Sequence, residues 1–144
     1  RQIYKKYAAQ EAITHSMMGS LGLKLIEEKE CFIRASMPVN DNTSQPFGVL
    51  CGGASLAFAE IIAGYGSYLC CPEGFIPVGS SVSGNHVSSV RKAPDVLVYA
   101  EATALHLGHT THLWNVDIKT ENGRLVSTVR VTNFIVKDKS ESWK

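Results

Sequence analysis

"QPFGVLCGGASLAFAEIIAGYGSYLC", residues 45–70, contains a single charged side chain, Glu60. From Asn42 through Pro72 no other Asp, Glu, Lys or Arg occurs, and no His. The part from Gly52 to about Cys70 reads as the one long helix of the chain. It is apolar nearly all round, a pattern that predicts a buried helix rather than an amphipathic one. Ala54, Ser55, Ala57, Ala59, Ala63, Gly64, Gly66 and Ser67 keep it slim, so a sheet can approach closely, while Ile61 and Ile62 fill one side. An unpaired carboxylate is costly to bury. Glu60 is therefore either matched by a distant cation, with Arg34, Arg124 and Arg130 as candidates, or present for chemistry.

Outward from this helix the pattern is mostly β. Residues 2 to 18 read as a short helix stopped by Gly19. Residues 21 to 38 read as a hairpin turning at Lys29-Glu30, with Phe32, Arg34 and Ser36 on one face and Ile33, Ala35 and Met37 on the other. "NDNTSQPFG" is a loop. After Pro72, "VGSSVSGNHVSSV", "VLVYAEATALHL", "TTHLWNVDIKT" and "RLVSTVRVTNFIV" are β-branched runs separated by Ala93-Pro94, Gly108 and Glu121-Asn122-Gly123. Asn-Gly predicts a type I′ hairpin turn. Trp114, Val116, Ile118 and Leu113 read as core or interface packing. Together these runs predict an α+β domain, one curved antiparallel sheet wrapped around one long apolar helix.

The chain has 144 residues, enough for one domain over its whole length, residues 1–144, and too few for two ordinary ones. A net charge of +1 with no Lys/Arg run beyond two leaves no nucleic-acid footprint. No segment supplies the ~18 apolar residues that span a bilayer, and "RQIYKK" leads into no signal-peptide core. Cys31, Cys51, Cys70 and Cys71 form no C-x-x-C pair and read as reduced, buried thiols of a cytoplasmic protein. "HLGHTTH" tempts a metal assignment. On an extended strand, though, His109 faces away from the other two, and His106 and His112 lie ~20 Å apart, so no metal site is expected. "GGAS" lacks the second glycine of a nucleophile elbow, and glycine-rich phosphate loops are absent.

The order of elements, together with "MPVNDNTSQPFGVLCGGASLAFAE", "NHVSSVR" and "LHLGHTTHLWNVDI", resembles the hotdog-fold acyl-coenzyme A (CoA) thioesterases of the phenylacetate and menaquinone pathways. The likeness is greatest to the bacterial 1,4-dihydroxy-2-naphthoyl-CoA type. It covers roughly residues 16 to 136, with a short insertion near Lys92 to Asp95. The resemblance implies hydrolysis of an acyl-CoA with an aromatic or medium apolar acyl group, without cofactor or metal. Glu60 is then the catalytic carboxylate, as nucleophile or general base, Gly53 an oxyanion N–H, and Gln45 a donor near the thioester carbonyl or the attacking water. Gly79, His86, Val87, Ser88, Ser89 and the run His106, Leu107, Gly108, His109, Thr110, Thr111 match segments lining the CoA channel. Arg91 and Lys92 lie near enough to that channel to meet phosphates.

Elementary geometry agrees with part of this. Gly53 and Glu60 share a helix face ~10 Å apart along the axis, and bare N–H groups at Gly52-Gly53 suit a developing oxyanion. Two positions depart from the family. Cys51 stands in place of a histidine before the two glycines, and Gly64 in place of a Ser or Thr that holds water. Two rival readings follow, an acyl-thioester hydratase or dehydratase and a non-catalytic acyl-CoA binding protein. The resemblance further implies a homodimer sharing each site between subunits and assembling to a homotetramer.

Overall fold

Residues spaced three and four apart decide how the long helix sits. In the computed structural model, which describes residues 14–139, that helix, α2, spans Gly52–Cys70 as the sequence predicts. Its buried stripe is Ser55, Phe58, Ala59, Ile62, Ala63, Gly66 and Ser67, the 3.6-residue repeat of a helix lying on a sheet. The expectation of burial all round is not met. Within one chain Gly53 and Glu60 are exposed, and Ala57, Ile61 and Gly64 are half-buried. The helix is apolar on both sides, yet a single sheet covers only one.

Around it run α1 (Met17–Leu21), β1 (Lys24–Lys29), β2 (Phe32–Pro38), β3 (Phe75–His86), β4 (Leu97–Leu107), β5 (Thr111–Thr120) and β6 (Leu125–Lys137). The six strands form one antiparallel sheet in the order β1-β2-β4-β5-β6-β3. This is the hotdog arrangement, with β1 and β3 at the edges. The core lies between α2 and the inward residues Ile33, Ala35, Met37, Val98, Ala100, Ala102, Trp114, Val116, Ile118, Val129 and Val131. The outer face of β5 beyond Leu113 is polar: Asn115, Asp117 and Lys119 bond to Arg130, Thr128 and Glu101. No helix among the described residues is long and apolar enough to cross a membrane.

Local chemistry corrects four expectations. The helix expected over residues 2 to 18 falls mostly outside the described residues. Its described continuation, α1, ends at Gly22 and not at Gly19. Gly22 has φ 71°, and Leu23 N–H bonds to Met18 O while Gly22 N–H bonds to Gly19 O, the Schellman closure that a left-handed residue permits. The first hairpin turns one residue later than read, at Glu30-Cys31, because Lys29 pairs with Phe32. The last hairpin is not a type I′ turn. Only Gly123 has positive φ, 90°, and Gly123 N–H bonds to Thr120 O, giving a three-residue loop closed by a left-handed glycine. Finally, β3 ends at His86. The residues after it leave the sheet to pair with the loop before α2, through Leu50 N–H to Val90 O and a Val49–Arg91 bridge.

Gly66 and Gly64 respond oppositely to a methyl group. A Cβ at Gly66 comes 2.5 Å from Trp114 Cη2, and Trp114 is fully buried with its indole N–H bonded to Ser67. A Cβ at Gly64 meets nothing within 4 Å. Gly66→Ala is expected to lose stability by about 1–3 kcal/mol, overpacking outweighing its helix propensity. Gly64→Ala is expected to gain about 0.8–1 kcal/mol. Urea unfolding of the two variants beside the parent checks both signs.

Candidate active site

Glu60 projects from α2 at the edge of the sheet. Its carboxylate lies against Gly79 of β3, so close that a Cβ there falls 2.8 Å from Oε1 and 3.3 Å from Cδ. Only glycine leaves this space on the strand. Glu60 is exposed in the single chain, which corrects the premise that its carboxylate is buried. Among the described residues it makes no ion pair. Each of the three arginines considered as its partner is engaged elsewhere: Arg34 with Glu101 and over the Tyr99 ring, Arg124 with Ser89 O, and Arg130 with Asn115. None of the three arginines, and no other cation among the described residues, makes Glu60 half of an ion pair.

The second cluster gathers at the start of α2. Cys51 is the N-cap and offers no side-chain cap bond, while its carbonyl accepts from Ala54 and Ser55. The N–H groups of Gly52 and Gly53 precede the first helical bonds and have no acceptor within the helix. His86, from the end of β3, packs its ring onto Gly52, where a Cβ falls 2.6 Å from Nε2. Its Nδ1 is 2.7 Å from Ser127 Oγ on β6, which holds the ring in place. Gln45 lies in the preceding loop, where its N–H bonds to Val49 O and its side-chain oxygen accepts the Phe47 N–H. With that oxygen tied, the amide NH2 is the end left to donate.

The structure does not bring all the expected residues to Glu60. Gly79 pairs with Asn133, Asn133 with His112, and His112 with Leu107. Leu107 is thus three strands from Gly79, about 14 Å at the usual strand spacing. His106 lies on that far strand with it, while Thr110 and Thr111 come nearer, bonded to Ile135 and paired with Phe134 of β6. Val87, Ser88 and Ser89 follow His86 and are pinned to β6 and its hairpin, Ser88 Oγ donating to Leu125 O at 2.6 Å. Lys92 is occupied by Asp41 at 2.9 Å, beside a cleft of about 570 Å³ lined by Val39, Asn40 and Pro94. The histidines also differ from expectation. The chain reverses at Gly108, whose N–H bonds to Thr111 O, so His106 and His112 sit on neighbouring strands rather than far apart. No metal-binding group forms around them among the described residues. Of the cysteines only Cys71 is buried, and the other three are partly exposed. Sequence reasoning missed Ser127 as the partner of His86, and no local signal marks a contact 41 residues away.

An unpartnered carboxylate and an uncapped glycine pair on one helix suit acyl transfer, and comparison with known proteins agrees. Residues 47–127, more than half the chain, match the model of the thioesterase superfamily. The chain belongs to the thioesterase superfamily. A putative esterase of Haemophilus influenzae is 38% identical over 85% of this chain and 87% of its own length. The 1,4-dihydroxy-2-naphthoyl-CoA hydrolase of Escherichia coli is 35% identical over 93% and 99%. A crystal structure of a mutant thioesterase from Pseudomonas aeruginosa superposes with TM-score 0.83 at 34% identity, covering 89% of this chain and 91% of that one. The chemistry of this family, thioester hydrolysis, is accordingly that of this chain.

Gly79→Ala tests the carboxylate's seat. The added methyl displaces the Glu60 side chain by about 1 Å, and if Glu60 is the catalytic carboxylate such a misplacement costs on the order of 10²-fold in rate. Turnover by thiol release is expected to fall on that scale while the circular dichroism spectrum is retained.

Proposed function

We propose that this protein hydrolyses an acyl-CoA thioester carrying an aromatic or medium apolar acyl group, with Glu60 as the catalytic carboxylate. The observation that carries the reading is Glu60 itself, an unpaired carboxylate held over the bare backbone of Gly79. The acyl group faces apolar ground there: Ile61 follows Glu60 on α2, and the space beside Gly64, one turn on, is open. The aromatic acyl group named for the E. coli relative supports the same substrate class.

Two routes fit this geometry. As general base, Glu60 takes a proton from water, hydroxide adds to the carbonyl carbon, and the tetrahedral oxyanion collapses to expel the CoA thiolate, which recovers the proton. As nucleophile, Glu60 displaces the thiolate to form a mixed anhydride, which water then hydrolyses. In both, the Gly53 N–H at the positive end of α2 stabilises the oxyanion, Gln45 donates to the carbonyl or positions water, and His86 borders the carbonyl at Gly52. Carboxylate, backbone donors and water suffice, and no cofactor enters.

Gly53 and Glu60 of one chain stand ~10 Å apart along α2, too far to act on one carbonyl carbon. We place the two halves of each site on different subunits. The support is β3, a twelve-residue edge strand whose residues 79–81 are exposed and whose outer edge invites a second copy. The dimer is then the minimal active unit, stacked in pairs as a tetramer, in the cytoplasm.

Glu60→Gln is expected to lower turnover by at least ~10²-fold, the scale of acid–base catalysis, with the fold intact. Near-normal thiol release from this variant overturns the reading, and saturable binding of acyl-CoA without release by the parent turns it into a binding protein. Sedimentation is expected to find no active monomer; hydrolysis by a monomeric fraction defeats the shared site.

A further inference from the structure

Two turns beyond Glu60 on the same side of α2, Ser67 is buried and meets three side chains of the sheet. Its Oγ lies 2.8 Å from Trp114 Nε1, 3.0 Å from Asn133 Nδ2 and 2.8 Å from His112 Nδ1. The indole N–H and the amide NH2 can only donate. Asn133 Nδ2 is also 3.4 Å from the Ala63 carbonyl, an acceptor, which settles which end of that amide faces the helix. Two donors occupy both lone pairs of the hydroxyl, so its one proton goes to His112. Nδ1 of His112 is therefore the bare acceptor, and the ring carries its proton on Nε2.

This node lies on the line that seats Glu60. Gly79, Asn133 and His112 are successive neighbours across β3, β6 and β5. Glu60 rests on the first, and Ser67 binds the other two. The rest of the buried stripe of α2 is mainly Phe58, Ala59, Ile62, Ala63 and Gly66, whose apolar contacts carry no direction. We propose that the Ser67–His112 hydrogen bond is a positioning device for Glu60, seating α2 with the carboxylate over Gly79 while His112 is neutral and releasing it when His112 takes up a proton. The proposal rests on the catalytic reading of Glu60 given above.

A second proton on His112 places an N–H against a hydroxyl whose lone pairs are both taken, in a site only 3% exposed. His106 on β4 lies near enough to act on the ring as a like charge. From α2 the ring faces Ser67, and the one charged residue of that helix, Glu60, stands two turns away at the β3 edge. From β6 it faces Asn133, and along β5 its inward neighbour is Trp114. Burial, and then His106, hold His112 below the ordinary histidine value of 6.5. The sign follows: as pH falls, an unfolded histidine protonates first, so the bond is whole above that value and is lost as pH passes through the lowered value of the folded state.

The test follows kcat and KM against pH for the parent, Ser67→Ala and His112→Gln, with Glu60→Gln alongside. Ser67→Ala is expected to lose about 10- to 100-fold in kcat, with KM within about twofold. His112→Gln carries a neutral amide that cannot titrate. Whatever its level, its kcat is expected to lack the part of the acid fall that His112 gives the parent. Nitrogen-15 NMR of the parent reads the ring directly, the expected result being a neutral Nε2–H tautomer that persists below pH 6.5. A His112 that titrates like a free histidine, an Nδ1–H tautomer, or identical kcat profiles for parent and His112→Gln overturns the proposal. If Glu60→Gln is dead and Ser67→Ala is unaffected, the proposal alone fails. An active Glu60→Gln removes the catalytic reading, and the proposal with it.

Discussion

The contact between Gly66 and the Trp114 ring is the constraint on which the rest depends. A helix carrying side chains at that point stands further off the sheet, and the hydroxyl of Ser67, one residue on, no longer reaches the indole nitrogen, the imidazole and the amide behind it. Close approach comes first, made possible by small residues. Directional bonding follows, because the polar atoms that α2, β5 and β6 bury there satisfy one another.

From that seat the contrast between Ser67 and Glu60 follows. They lie seven residues apart and share a side of α2, yet one is buried and the other exposed. The difference is made by the strands beneath them. Ser67 lies over β5 and β6 in the interior of the sheet, and Glu60 over β3, the last strand, at a residue with no side chain. A helix crossing a sheet towards its edge thus carries an ionisable group out of the core without breaking its own apolar pattern.

Much of this was legible in the sequence. The bounds of α2 came from an uninterrupted apolar run, and the later strands from β-branched runs between Gly, Pro and Asn. Glu60 stood out because nothing charged surrounds it. The turn errors arose where a single φ angle decides, as at Cys31 and Gly123, since a dipeptide preference does not fix which residue becomes left-handed. The histidines were misplaced because the reversal at Gly108 was treated as an extended strand. Ser127 behind His86, and the ring of partners around Ser67, were invisible because they join residues more than forty positions apart. Side-chain hydrogen bonds at that separation leave no periodic trace.

The pairing of β3 bears on how the chain is made. Within the chain β3 has one strand neighbour, β6, and Phe75 at its start pairs with Lys137 at the far end of the described sheet. A ribosome therefore releases α2 and β3 well before the strand that fixes them. Contacts of such long sequence separation form late and slowly. Gly79 and His86 have no settled place until β6 has emerged, so the edge on which Glu60 rests is the last part of the domain to be completed, and its strand must be kept from other edges in the meantime.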